Sequence, residues 1–238
     1  MAKNRTVTTI REQVYQILRD EICRGDYPAG YRLQESELTE HLNVSRSPVR
    51  EALRQLVSDG LLLEVPNKGV YVKEFTVRDI EEIFDLRVML ESYGIYHSAK
   101  NMTSTRLERL LRVLSKLEEA YEKGDLNTYT VYDEKLHTQI VQLADNSLVN
   151  DTYERVRSMN QQFRVLSLMS ARRFTESLDE HRTIVHSLAT GDVKTADVVN
   201  RRHLQLACDA IKARLIKQQK HAEPPAEPPA EPPAPAAQ

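Results

Sequence analysis

The 238-residue sequence has no tryptophan, two cysteines and seven glycines, and only three of its ten prolines lie before residue 221. Cys23 and Cys208 are far apart and match no metal or redox spacing. They read as reduced thiols of a cytoplasmic protein, not as a disulfide frame. No apolar run approaches the roughly 18 residues that a membrane span needs, which argues against an integral membrane protein. The first residues, Met1 to Thr6, are polar and lack the apolar core of a secretory signal. Neither sign of charge dominates: 33 Lys and Arg face 35 Asp and Glu, for a formal net charge of −2. Any surface for a polyanion must therefore be local.

The other seven prolines fall after residue 221, in a repeated Ala-Glu-Pro-Pro unit. Such a run cannot build a core and supplies few backbone donors, so residues 220–238 are expected to be an extended, solvated tail. The remaining chain divides near residue 75, where strand-like alternation gives way to helical periodicity. We expect a first domain at 8–75 and a second at 76–219.

In the first domain Ile10, Val14, Ile17, Leu18 and Ile22 share one helical face, and Gly25 follows as a stop signal. A short helix over 35–42 ends at Asn43, a residue that tolerates the left-handed conformation of a tight helix–helix turn. Ser45 is suited to cap a third helix running to about residue 58, and Pro48 is harmless in its first turn. Residues 61–65 and 70–75 flank Pro66-Asn-Lys-Gly69, a hairpin pattern. Three short helices and a hairpin make a winged helix-turn-helix. Arg46, Arg50 and Arg54 recur at every fourth residue, so they line one side of the third helix. Arg46 and Ser47 stand at its N-terminal end, the part of a recognition helix that meets base edges. An arginine fork can grip guanine or phosphate, and Lys68 and Gly69 at the hairpin tip can reach an adjacent groove. Residues 1–75 carry 11 basic and 11 acidic side chains. The positive charge is focused, not spread. The pattern predicts binding to double-stranded DNA.

From Thr76 onward only helices are expected, at about 78–99, 104–123, 126–144, 147–172, 177–190 and 193–219, forming an all-α antiparallel bundle. Within it Asp133 and His137 are four apart and share a face. His181 and His203 each sit on an apolar stripe of another helix. An aspartate turned into a core is costly alone, and a divalent cation compensates it. Three imidazoles and one carboxylate suit a transition ion, zinc first, with nickel, manganese or iron as alternatives. A metal-dependent hydrolase with an appended DNA head is the competing reading, and a regulator that senses the ion itself is a third. The hydrolase lacks an adjacent His-Asp pair, and Glu134 and Glu180, next to the ligands in sequence, are expected to point elsewhere on their helices.

The stretch Leu33-Gln-Glu-Ser-Glu-Leu38-Thr-Glu-His-Leu42-Asn-Val-Ser45-Arg46-Ser-Pro-Val-Arg50-Glu-Ala-Leu53, followed by Leu56, Gly60 and Leu61, resembles the GntR family of bacterial transcription regulators. The resemblance implies that Arg46 and Arg50 contact operator DNA. It departs at Ser36, where some members carry an arginine, so no operator preference transfers. The second domain resembles the FCD ligand-binding domain of the FadR branch, through Asp133-x-x-x-His137, Asn146-x-Leu148, Glu180-His181, Gly191-Asp192 and His203. This likeness implies that Asp133, His137, His181 and His203 hold a metal and that a small carboxylate effector binds there. Arg87 and Asn146 are then expected to face that effector. For Arg87 the residues alone allow a surface ion pair with Glu91 equally well. The resemblance also implies a homodimer held by the helical domain, a palindromic operator, and repression released by the ligand.

Overall fold

The computed structural model describes residues 9–221, and the proposed Pro-rich tail lies almost wholly outside them. Helix α1 (Ile10–Arg24) starts under a Thr9 cap and stops at Gly25, whose φ of +85° is left-handed. Helix α2 (Glu35–Leu42) turns into α3 (Arg46–Ser58) through Asn43 at φ +50°. The wing differs from the sequence expectation. It has three strands, not two: β1 (Arg32–Leu33), β2 (Leu62–Val65) and β3 (Gly69–Val72), antiparallel in the order β1-β3-β2. A two-residue strand shows no alternation, so β1 could not be read from pattern. β3 also ends at Val72, and Phe75 leaves the sheet to pack edge-on against Phe163 at 4.9 Å between ring centroids.

A capping box between Thr76 and Asp79 opens α4 (Val77–Asn101). It is followed by α5 (Ser104–Glu122), α6 (Leu126–Gln142), α7 (Ser147–Leu168), α8 (Ala171–Thr190) and α9 (Val193–His221). Helix α8 begins six residues earlier than the apolar stripe suggested, because Ser170 caps it by accepting from the Arg173 N–H.

The core forms three clusters. One fills the winged domain around Leu18, Val49, Leu56 and Leu61. A second joins α5, α6 and α8 through Leu117, Tyr129, Leu136 and Ile184. The third packs Phe75 and Phe84 with Phe163 of α7 and Leu204 and Ile211 of α9. A single glycine fixes the spacing between α4 and α6. At Gly94 an added Cβ would lie 2.2 Å from the Ile140 carbonyl oxygen, so only glycine lets the two helices lie this close. That approach sets Glu91, one turn before Gly94, against His137, one turn before Ile140.

Candidate DNA-reading helix and metal centre

The apolar face of α3 (Val49, Ala52, Leu53, Leu56) is buried against α1, which leaves Arg46, Ser47, Arg50 and Arg54 exposed on the other side. Arg50 is clamped to Glu35 of α2 by two bonds of 2.9 Å, from Nε to Oε1 and from Nη2 to Oε2. Beside this arginine Glu35 is held below the usual carboxylate range, its bond from Arg50 being the largest influence. Ser47 donates weakly to Glu51 at 3.4 Å. At the wing tip Asn67 and Gly69 both have positive φ, which exposes Lys68. Arg32, which pattern reading passed over, stands across from Gly69; an added Cβ there would lie 3.2 Å from its Nε.

In the bundle, Asp133 and His137 of α6, His181 of α8 and His203 of α9 converge. One donor atom from each lies within 4.8 Å of all the others, and all four side chains are buried. His181 Nε2 is 3.3 Å from Asp133 Oδ1 and 3.4 Å from His137 Nε2. Donors about 2.0–2.1 Å from one ion lie roughly 3–4 Å apart, so these spacings can close onto a single transition ion. Each ring is also held from behind. His137 Nδ1 bonds Glu91 Oε2 at 2.8 Å, His203 Nδ1 bonds Glu180 Oε2 at 2.8 Å, and His181 Nδ1 meets the Tyr129 hydroxyl at 3.2 Å. Occupying every Nδ1 leaves every Nε2 for the centre, the outer-sphere arrangement that orients metal-binding histidines.

Burial pushes His137 and His181 below their ordinary pKa, so both are neutral and able to ligate. For Asp133 burial favours the acid, but the Arg164 guanidinium against it leads the opposing influences and keeps it a carboxylate. Burial likewise opposes ionisation of Glu91; the His137 ring, the Arg87 guanidinium and the Asn200 amide overcome this and hold it down to about 2.

Several of these partners were not anticipated. Arg164 of α7 donates to Asp133 Oδ2. The Asn160 amide, oriented with its oxygen inward, accepts from Arg87 Nη1 and Arg164 Nη2 at 3.2 Å each. Glu180 corrects an expectation: it neighbours His181 on α8 and does point away from it, yet α9 packs on that side and brings His203 to it. Arg173 holds the same carboxylate at 3.1 and 3.2 Å. Glu134 does stay apart, paired with Arg157. Arg87 and Glu91 form their i,i+4 pair at 2.9 Å, but it is buried, with 4% and 0% of the side chains exposed. Asn146 does not face this centre. It is the N-cap of α7, where its Oδ1 accepts from the Leu148 and Val149 N–H groups.

A winged helix-turn-helix joined to a helical bundle with a buried polar centre defines a DNA-binding regulator with a sensory domain. The chain belongs to the GntR family of bacterial regulatory proteins, matched at residues 10–72, and carries an FCD domain, matched over just more than half the chain at residues 82–206. It is 27% identical over 210 residues to the HTH-type transcriptional repressor RspR of Escherichia coli K12, covering 88% of this chain and 91% of that protein. It is 27% identical over 180 residues to the gluconate operon transcriptional repressor of Bacillus subtilis 168, covering 74% of each. Among solved structures, a GntR transcriptional regulator from Rhodococcus sp. RHA1 superposes with a TM-score of 0.73 at 26% identity, over 85% of this chain and 97% of that one. The protein is thus a ligand-responsive DNA-binding transcription regulator and not an enzyme, and the hydrolase reading has no support. Among the described residues no helix is long and apolar enough to cross a membrane.

Proposed function

We propose that the chain is a cytoplasmic repressor, released from DNA by a small organic acid that binds at a divalent metal. Residues 8–75 form the DNA-binding head and residues 76–219 the sensory and dimerisation domain. Asp133, His137, His181 and His203 hold the ion, zinc first among nickel, manganese and iron. When bound, the metal supplies a fixed positive charge and open coordination positions for a carboxylate oxygen. The observation that carries this reading is that all three imidazoles have Nδ1 engaged from outside, which turns three Nε2 atoms and one carboxylate onto a common point.

Charge supports an anionic effector. Around the centre Arg87, Arg164 and Arg173 balance Glu91, Asp133 and Glu180. A divalent ion leaves two uncompensated positive charges in a buried space, which an anionic ligand neutralises. Arg87 stands where it can share that charge. The relative named for a gluconate operon also points to an organic acid.

On the DNA side, Arg46, Ser47, Arg50 and Arg54 enter the major groove, with Lys68 and Gly69 of the wing beside them. One such helix reads few base pairs, so a homodimer on a palindromic operator supplies the specificity. Elemental analysis tests the metal reading: protein purified without chelator, reloaded with zinc and desalted, should hold about one ion per chain, and His181→Ala or His203→Ala should lose it. A wild-type protein without stoichiometric metal would make the four residues a core hydrogen-bond network instead. If chelator alone releases the operator and carboxylates do nothing at fixed metal, the protein senses the ion itself.

A further inference from the structure

The chamber beside the four donors is too small for an organic acid. Bounded by Phe84, Arg87, Asp133, Asn160, Arg164 and His203 among others, it has about 10 Å³ of free space, room for about one water. On the far side of Arg164 a cleft of about 430 Å³ opens to solvent between α1, α6 and α7. That is the size of a small-molecule site. Arg164 lines both spaces. Its side chain is 4% exposed, reaches Asp133 and Asn160 inward, and leaves Nε without a hydrogen-bond partner among the described residues. A buried guanidinium N–H with nothing to bond is costly, and an arriving acceptor relieves it.

We propose that this cleft is the entrance to the metal centre and the subsite for the part of the effector beyond its carboxylate, with Arg164 as the gate between the two. The proposal rests on the metal-and-carboxylate reading of the centre and deepens it. As Arg164 swings from Asp133 to the ligand, exchanging one contact for the other, the chamber widens enough for one carboxylate oxygen to reach in. The rest of the molecule stays in the cleft. Asp20, Asn127, Thr130, Glu134 and Gln161 line that space with carboxylate, amide and hydroxyl groups. Arg24 also lines it but is held by Asp26, and Glu134 is matched by Arg157, so the Asp20 carboxylate, the Asn127 amide and the Thr130 hydroxyl are left to bond hydroxyl groups, which both donate and accept. The ligand class is a carboxylate with a hydroxylated tail. Because Asp20 and Cys23 belong to α1, a ligand so placed touches the DNA head directly.

The test uses full-length protein loaded with Co²⁺ and followed by visible absorption. Val131 lies on the cleft wall and is 51% exposed, so Val131→Trp plugs the cleft from outside without disturbing the core. Val198→Trp, on α9 at a position 58% exposed, is the control. Val131→Trp should slow cobalt extraction by pyridine-2,6-dicarboxylate tenfold or more, while the control extracts at the wild-type rate. Wild type should bind D-gluconate at least tenfold more tightly than acetate, and Val131→Trp should abolish that preference. Should Val131→Trp fold poorly by circular dichroism, Asn127→Trp repeats the test from an exposed position on the same wall. Extraction at the wild-type rate from a folded plugged variant overturns the cleft proposal and leaves the metal reading standing. Equal affinity of wild type for gluconate and acetate overturns the hydroxylated tail. A wild-type protein that takes up no cobalt overturns both readings.

Discussion

Glu91 is the residue on which the buried polar network depends most. Its side chain is fully enclosed and takes four bonds: from Arg87 Nε at 3.0 Å, His137 Nδ1 at 2.8 Å, Asn200 Nδ2 at 3.1 Å and the Tyr153 hydroxyl at 3.4 Å. Glu91→Ala removes the counter-charge of Arg87, which cannot reach water with 4% of its side chain exposed. Breaking a buried pair from one side costs about 3–5 kcal/mol, because the surviving charge stays desolvated. For a chain of this length each kcal/mol moves the midpoint by about 2–4 °C, so the variant should melt roughly 6–20 °C below wild type by circular dichroism at 222 nm. Glu91→Gln keeps the shape and one acceptor oxygen, so its loss should be smaller. It should nevertheless weaken metal binding about 10- to 100-fold, since the His137 ring loses the charged partner that orients it. A Glu91→Ala protein melting within about 1 kcal/mol of wild type would refute the claim that Arg87 depends on this carboxylate.

Two further outcomes are expected. In the presence of EDTA, stability should hold above about pH 6.5 and fall below it. Burial lowers the pKa of His137 and His181 from the ordinary 6.5, so the unfolded chain binds protons that the native rings refuse. The fall should steepen below the ordinary glutamate value of 4.5, because Glu91 stays ionised down to about 2 in the fold; a melting midpoint unchanged between pH 7 and 5 would contradict the histidine part. Glu35→Gln should free Arg50 from its half-exposed clamp, so operator affinity should rise, with a salt slope steeper by about 0.9. Unchanged affinity and slope in gel shifts would show that Arg50 makes no phosphate contact.

The parts legible in the sequence were those whose signal lies within one element. Asn43 marks the helix–helix turn because few other residues accept its φ of +50°, and Asp133 and His137 announce a shared face through their spacing alone. The unread parts depend on contacts between elements. Glu91, Arg164 and Glu180 are charged residues, and a charged residue on a helix ordinarily faces solvent. Only the packing of α4, α7 and α9 around α6 and α8 turns them inward. The Arg87–Glu91 pair shows the same limit: an i,i+4 spacing establishes the pair but not the burial that multiplies its effect. Asn146 shows the converse. A motif position drew it toward the effector, whereas its local task is to satisfy the first N–H groups of α7, a role open to asparagine before any helix.

Helix α7 is where the buried four-donor cluster and the winged head meet. Asn160 and Arg164, one turn apart, face the centre. Their neighbours face the head: Gln161 Oε1 accepts from Arg19 Nη2 of α1 at 2.7 Å, and Met159 Sδ lies 3.1 Å from where a Cβ on Gly60 would sit. Phe163 packs on Phe75 at the join between wing and bundle. Successive helical residues point about 100° apart, so any rotation of α7 that moves Arg164 at the centre must also move Gln161 against α1. Shifts of 1–2 Å between packed helices are the usual currency of such transitions, and contacts this close leave no slack to absorb one. A ligand that draws Arg164 away from Asp133 therefore stabilises one placement of α7 over another. The head follows to the extent that the two placements differ in affinity for that ligand. By the same reciprocity, operator DNA that fixes the head must alter the affinity of the centre for its ligand by an equal factor.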